Sequence, residues 1–193
     1  MKKALKILLT TYCFSTFAFS MLSPIYAIFV EKIGGGVLEA SYAISIFTFS
    51  SGVLIYLVSR FGDNFKHQEY LLSFGYLLNT IAFFSYIFVS KPVHLYFIEL
   101  LFGISIAVLS PVYDGLYSKN LDQGKFVSEW GDWEAVGYFI SSLSALSGGY
   151  MVSNFGFNSL FITMSLFSLI AFFVSLTLMP SSSKKDIKLA RLK

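Results

Sequence analysis

One carboxylic acid stands apart from the others in this 193-residue chain. Glu99 lies inside the apolar stretch 93–113, whereas the other acids fall in or beside polar connections. A helix entering at Val93 would carry Glu99 about six residues, or roughly 9 Å, below the stretch's edge. Charge at bilayer depth costs about 2.5–3.5 kcal/mol on insertion scales, so a lone acid there marks a functional position. No Lys or Arg occurs in any apolar stretch to pair with it. Glu99 is therefore a candidate proton carrier or cation contact, and Asp114, just past the same stretch, is a second candidate for coupling or gating. Other chemistry is not encoded. His67 and His94 are too far apart to begin a metal cluster. There is no phosphate-cradling P-loop and no Gly-x-Ser-x-Gly elbow. The expectation is a chain that is not an enzyme and needs no cofactor.

The elements that position these residues follow from composition. Hydrophobic residues make up 55% and charged residues 13%, mean hydropathy is +0.69, and Phe occurs 22 times. A soluble domain carries about 25% charge, and one this short could not bury so many rings. The scattered basic residues do not form a nucleic-acid patch. Six apolar stretches approach the roughly 20 residues needed to cross a bilayer, near 7–30, 40–58, 70–89, 93–113, 133–152 and 159–179. The first, behind Met1-Lys2-Lys3, is read as an uncleaved helix. Membrane β-strands would alternate over segments of about ten residues, and these runs do not. Of the 14 Lys and Arg, twelve fall on one side of the resulting topology. That asymmetry predicts an inner-membrane protein with both termini cytoplasmic, and 181–193 reads as a basic cytoplasmic tail.

Two strings recur. Leu22-Ser23-Pro24-Ile25-Tyr26 returns as Leu109-Ser110-Pro111-Val112-Tyr113, and the stretch 58–64 returns, more loosely, as 152–158. They align the first stretch with the fourth and the second with the fifth, on opposite faces. This predicts an inverted 3+3 repeat, a pattern common in secondary transporters. Pro24 and Pro111 each remove an intrahelical hydrogen bond, which makes them kink candidates, with Tyr26 and Tyr113 as cavity candidates. Gly137, Ser141, Ala145 and Gly149 recur every four residues and predict a close-packing helix face.

With these features in place, the chain resembles the N-terminal six-helix half of a major facilitator superfamily transporter. The resemblance covers nearly all of it. Its most recognisable part is the connection after the second stretch, Ser59-Arg60-Phe61-Gly62-Asp63-Asn64-Phe65-Lys66-His67. There Gly62 and Asp63 stand in the family's loop motif, Lys66 supplies its basic residue, and Ser59 stands where glycine is usual. The resemblance implies that Asp63 helps latch two six-helix halves together. In the fourth stretch, Glu99 takes a place where many members carry arginine. The family fold has twelve helices, so the implied partners are the lipid bilayer, a small-molecule solute and a second six-helix half, as a homodimer or a separate chain. Secondary-active transport by alternating access is the expected function. The alternative is a non-transporting membrane interaction protein or a remnant half-domain.

Overall fold

The computed structural model describes residues 2–62 and 65–179, and among them there are helices and no strands. Helix α1 covers Lys3–Leu22 and ends at a 3-10 turn, Ser23–Ile25, before α2 resumes over Tyr26–Lys32. Pro24 lies in that turn, where its missing N–H breaks the helical ladder. A glycine turn follows. Gly34 takes φ 82° and Gly35 N–H returns to the Val30 carbonyl at 2.9 Å, a left-handed close to α2. Glu39 then accepts from the Gly36 N–H at 2.8 Å, satisfying an amide at the start of α3, Val37–Gly62.

Helix α4 spans Gln68–Ser85, with a 3-10 turn over Tyr86–Phe88, and α5 runs from Pro92 to Asn120. Pro111 sits inside α5, which continues through it as one helix. The last element, α6, spans Phe126–Leu176, and at Gly156 its backbone leaves helical geometry (φ 78°, ψ 174°). Unbroken, its 51 residues would extend about 75 Å, well beyond a bilayer. Contacts show instead two arms folded back on each other. Along the first arm, Gly137 lies against Tyr12 and Gly148 against Met21, so this arm runs parallel to α1. Along the second, Phe157 meets Phe29 and Phe167 meets Phe14 and Phe17, so it runs antiparallel. Helix α1 is thus gripped by both arms. Among the described residues five helices are long and apolar enough to cross a membrane, the first being α1 with its turn and α2 and the fifth this folded pair.

The helices overrun the apolar stretches that announced them. Most of the polar segment 114–132 is helical, leaving only Leu121–Lys125 between α5 and α6. Hydropathy reports where the bilayer would end, while backbone hydrogen bonding continues into the polar turns beyond it. The connection at 153–158 is likewise helical apart from Gly156.

The interior forms two apolar layers. One gathers Phe29, Phe83, Tyr86, Phe102 and Phe161, and the other Leu8, Leu72, Tyr76, Tyr113 and Tyr117. Between them hydroxyls bridge helices: Tyr76 to Thr11 at 3.1 Å, Thr80 to Ser168 at 2.9 Å and Ser20 to Ser141 at 3.0 Å. Such contacts replace a hydrophobic drive that helices lack in lipid. Phe49, Phe97 and Leu146 point outward, as an apolar solvent permits.

Candidate functional site

Glu99 is buried, with 5% of its surface exposed. Its Oε1 accepts two hydrogen bonds, from the hydroxyls of Tyr26 and Tyr86, each at 2.6 Å. Local structure explains the convergence. The 3-10 turn at Pro24 resets the helix so that α2 begins with Tyr26 facing α5. The 3-10 turn closing α4 begins at Tyr86. Two interruptions of regular helix therefore place two phenols on one carboxylate oxygen. Charge-assisted O–H···O bonds of this length are strong, and the pair compensates a buried acid without any cation.

This group borders a cavity of about 230 Å³ between α1, α3 and α5, lined also by Phe19, Phe47, Thr48 and Phe102. A second cavity, of about 300 Å³, lies nearer the start of α1, and Phe19 lines both. Its walls include Tyr12, Ser15, Asn79, Tyr113, Asp114 and Trp133. The Tyr113 hydroxyl donates to the Leu8 carbonyl at 3.1 Å, which ties α5 to α1. Asp114 is exposed beside it.

The structure brings Glu99 and Tyr26 together and seats Tyr113 and Asp114 in the other cavity, so the sequence candidates divide between two places. The loop motif lies at a third. Ser59, Gly62 and Pro111 border a cavity of about 210 Å³ with Gln68 and Lys119. There Gln68 donates to the Gly62 carbonyl at 3.2 Å and accepts from Lys119 at 2.9 Å, joining the ends of α3 and α5. Lys66 is exposed, and Asp63 lies outside the described residues, as does the tail 181–193.

Close packing of α6 on α1 uses a register other than the even four-residue stripe. Gly137 faces Tyr12, Ser141 bonds Ser20, Ser144 donates to the Phe17 carbonyl, and Gly148 abuts the Met21 carbonyl. A Cβ on Gly149 would meet nothing within 4 Å, and Ala145 is half-buried. A helix advances 3.6 residues per turn, so four-residue steps drift about 40° each and leave the contact face by the third. Sequence reasoning passed over Tyr86, Asn79 and Gln68. Each is one polar residue among several in its helix, with no spacing to single it out.

All-helical among the described residues and built from helices apolar enough to cross a membrane, the fold is that of an integral membrane protein. A model of the Major Facilitator Superfamily matches residues 8–192, and the chain belongs to that family. It is 22% identical over 153 residues to the uncharacterized MFS-type transporter YitZ of Bacillus subtilis (strain 168), covering 78% of this chain and 91% of that protein. It also resembles the crystal structure of the POT family transporter PepTSo, with TM-score 0.72 and 12% identity. That likeness covers 96% of this chain and 40% of the transporter, so the chain spans well under half its length.

Proposed function

We propose that the chain moves a small solute across the cell membrane by secondary-active alternating access. In this reading six helices cross the membrane as an inverted 3+3 repeat, with α6 supplying two of them and both termini cytoplasmic. A second six-helix half, from another copy or a separate chain, closes the cavities that face away from the bundle.

The observation that carries this reading is the buried Glu99 carboxylate at a cavity wall, held by two tyrosine hydroxyls and, among the described residues, no cation. An acid in such a place can exchange a proton with a wet cavity, and its charge state can alter the contacts of α2, α4 and α5 together. The repeat is supported by placement. The Pro24 string lies at the Glu99 end of the bundle, while the Pro111 string lies near Leu8 at the other end.

The test is reconstitution into proteoliposomes containing a pH-sensitive dye, challenged with a panel of small solutes under imposed pH gradients. The native chain should show solute-dependent proton movement that Glu99→Gln abolishes. Solute uptake that Glu99→Gln leaves unchanged, with the same pH dependence, would overturn Glu99's role.

A further inference from the structure

Phe19 is the one residue common to the linings of the two cavities among the described residues. Away from it, both cavities are polar. Glu99, Ser23 and Thr48 wet the first, and Ser15, Ser110 and Asp114 the second. The wall of the second also carries two buried atoms, Asn79 Oδ1 and Trp133 Nε1, that make no hydrogen bond among the described residues. One accepts and the other donates, so water, which does both, suits the pair. Glu99 and Asp114 are fifteen residues apart on α5, roughly 22 Å along its axis. Between these polar parts stand rings. The Phe19 centroid lies 6.2 Å from that of Phe47 and 6.3 Å from that of Phe102, so α1, α3 and α5 each bring a phenyl group to the junction. Apolar constrictions shed their water and block ions without any closing lid.

We infer that Phe19 is the barrier between two wet compartments, its ring keeping the Glu99 cavity and the Asp114 cavity from joining in one file of water. The reason for a barrier is chemical. A continuous file of water between two acids would pass protons freely, and a carrier driven by a proton gradient would then dissipate its own supply. Phe47 and Phe102 back the ring from α3 and α5, so the side chain that matters is the one facing both cavities. This inference deepens the transport reading and rests on it, but the barrier is measured without solute.

The full chain is reconstituted into proteoliposomes holding a pH-sensitive dye, with potassium and valinomycin present to cancel the membrane potential. A pH gradient is imposed and its collapse followed with no solute added. Native vesicles should hold the gradient as long as protein-free vesicles do. Phe19→Ala should speed the collapse at least about tenfold, because a file of water conducts protons where a dry gap does not. Phe19→Ser should leak as fast, and Phe19→Leu, still bulky and apolar, should hold. Phe49→Ala, on the lipid-facing side, should match the native chain. Phe19 is 45% exposed, so its truncation leaves the core intact, and circular dichroism melts check each variant. The inference is overturned if the native chain itself leaks, if folded Phe19→Ala and Phe19→Ser hold the gradient, or if Phe19→Leu leaks as they do. If Phe19→Ala leaks and Phe19→Leu holds while no native vesicle moves solute, the transport reading fails alone. If native vesicles move solute with protons and the folded Phe19→Ala and Phe19→Ser chains stay tight, the barrier fails alone.

Discussion

Tyr86 precedes Glu99 by thirteen residues, and its hydroxyl stands 2.6 Å from the same carboxylate oxygen that Tyr26 reaches from the start of α2. The turn between α4 and α5 brings them together, so this half of the clamp is local while Tyr26 is not. Removing either hydroxyl leaves Glu99 a single donor.

Tyr86→Phe should therefore destabilise the chain by about 1.5–3 kcal/mol, the range for a hydrogen bond to a charged partner. In a Glu99→Gln background the same substitution should matter much less, since the groups act as a unit. Thermal unfolding in detergent, run as a double-mutant cycle, measures the difference. Equal losses in both backgrounds would show that the contact carries no coupling.

Two adjacent glycines should behave oppositely. A Cβ at Gly148 would overlap the Met21 backbone carbonyl, which cannot swing aside as a side chain can. Gly148→Ala should cost about 1–3 kcal/mol through overpacking between α6 and α1. Gly149→Ala meets open space and should stay within about 0.5 kcal/mol of the native chain. Paired melting curves under identical conditions decide the matter.

Gly156 folds α6 back on itself at φ 78° and ψ 174°, a region essentially reserved for glycine. Gly156→Ala should cost about 1–3 kcal/mol even though a Cβ there meets no neighbour. The loss is one of backbone conformation, so Gly156→Ser should cost about as much as Gly156→Ala. Melts of both variants test this, and a neutral Gly156→Ala would contradict the folded-back geometry.

A transporter needs a wall opposite the cavities. Single-molecule photobleaching of fluorescently tagged chains in nanodiscs made directly from cell membranes should give two steps for self-pairing. Co-purification of a second six-helix chain would meet the same need. A lone monomer in its native membrane would argue against transport.

Much of the architecture was legible because lipid imposes it. Every backbone amide must be paired there, in a helix or a closed barrel, and long unbroken apolar runs such as 70–89 and 93–113 lack a barrel's alternation. Glu99 was legible for the same reason, as an acid where acids are expensive. What surrounds it was not. Tyr86 is one of twelve tyrosines, and only the 3-10 turn at the end of α4 turns its hydroxyl onto Glu99. Gly148 was overlooked in favour of Gly149 because an even spacing is conspicuous in text, whereas helices pack by alternating steps of three and four. Pro24 and Pro111 look alike in sequence, yet one breaks its helix and the other does not. The outcome depends on whether neighbouring turns take up the strain.

The grip of the two α6 arms on α1 also constrains how the chain is made. Helix α1 is synthesised well before α6, yet its close partners lie there: Ser20 meets Ser141, and Ser144 reaches Phe17 across 127 residues. Until α6 emerges, the hydroxyl of Ser20 and the carbonyl of Phe17 lack these partners. Of the two, the helix made earlier is housed only when the later one arrives. A lesion at Gly148 would then register as a failure of packing between α6 and an α1 made long before it.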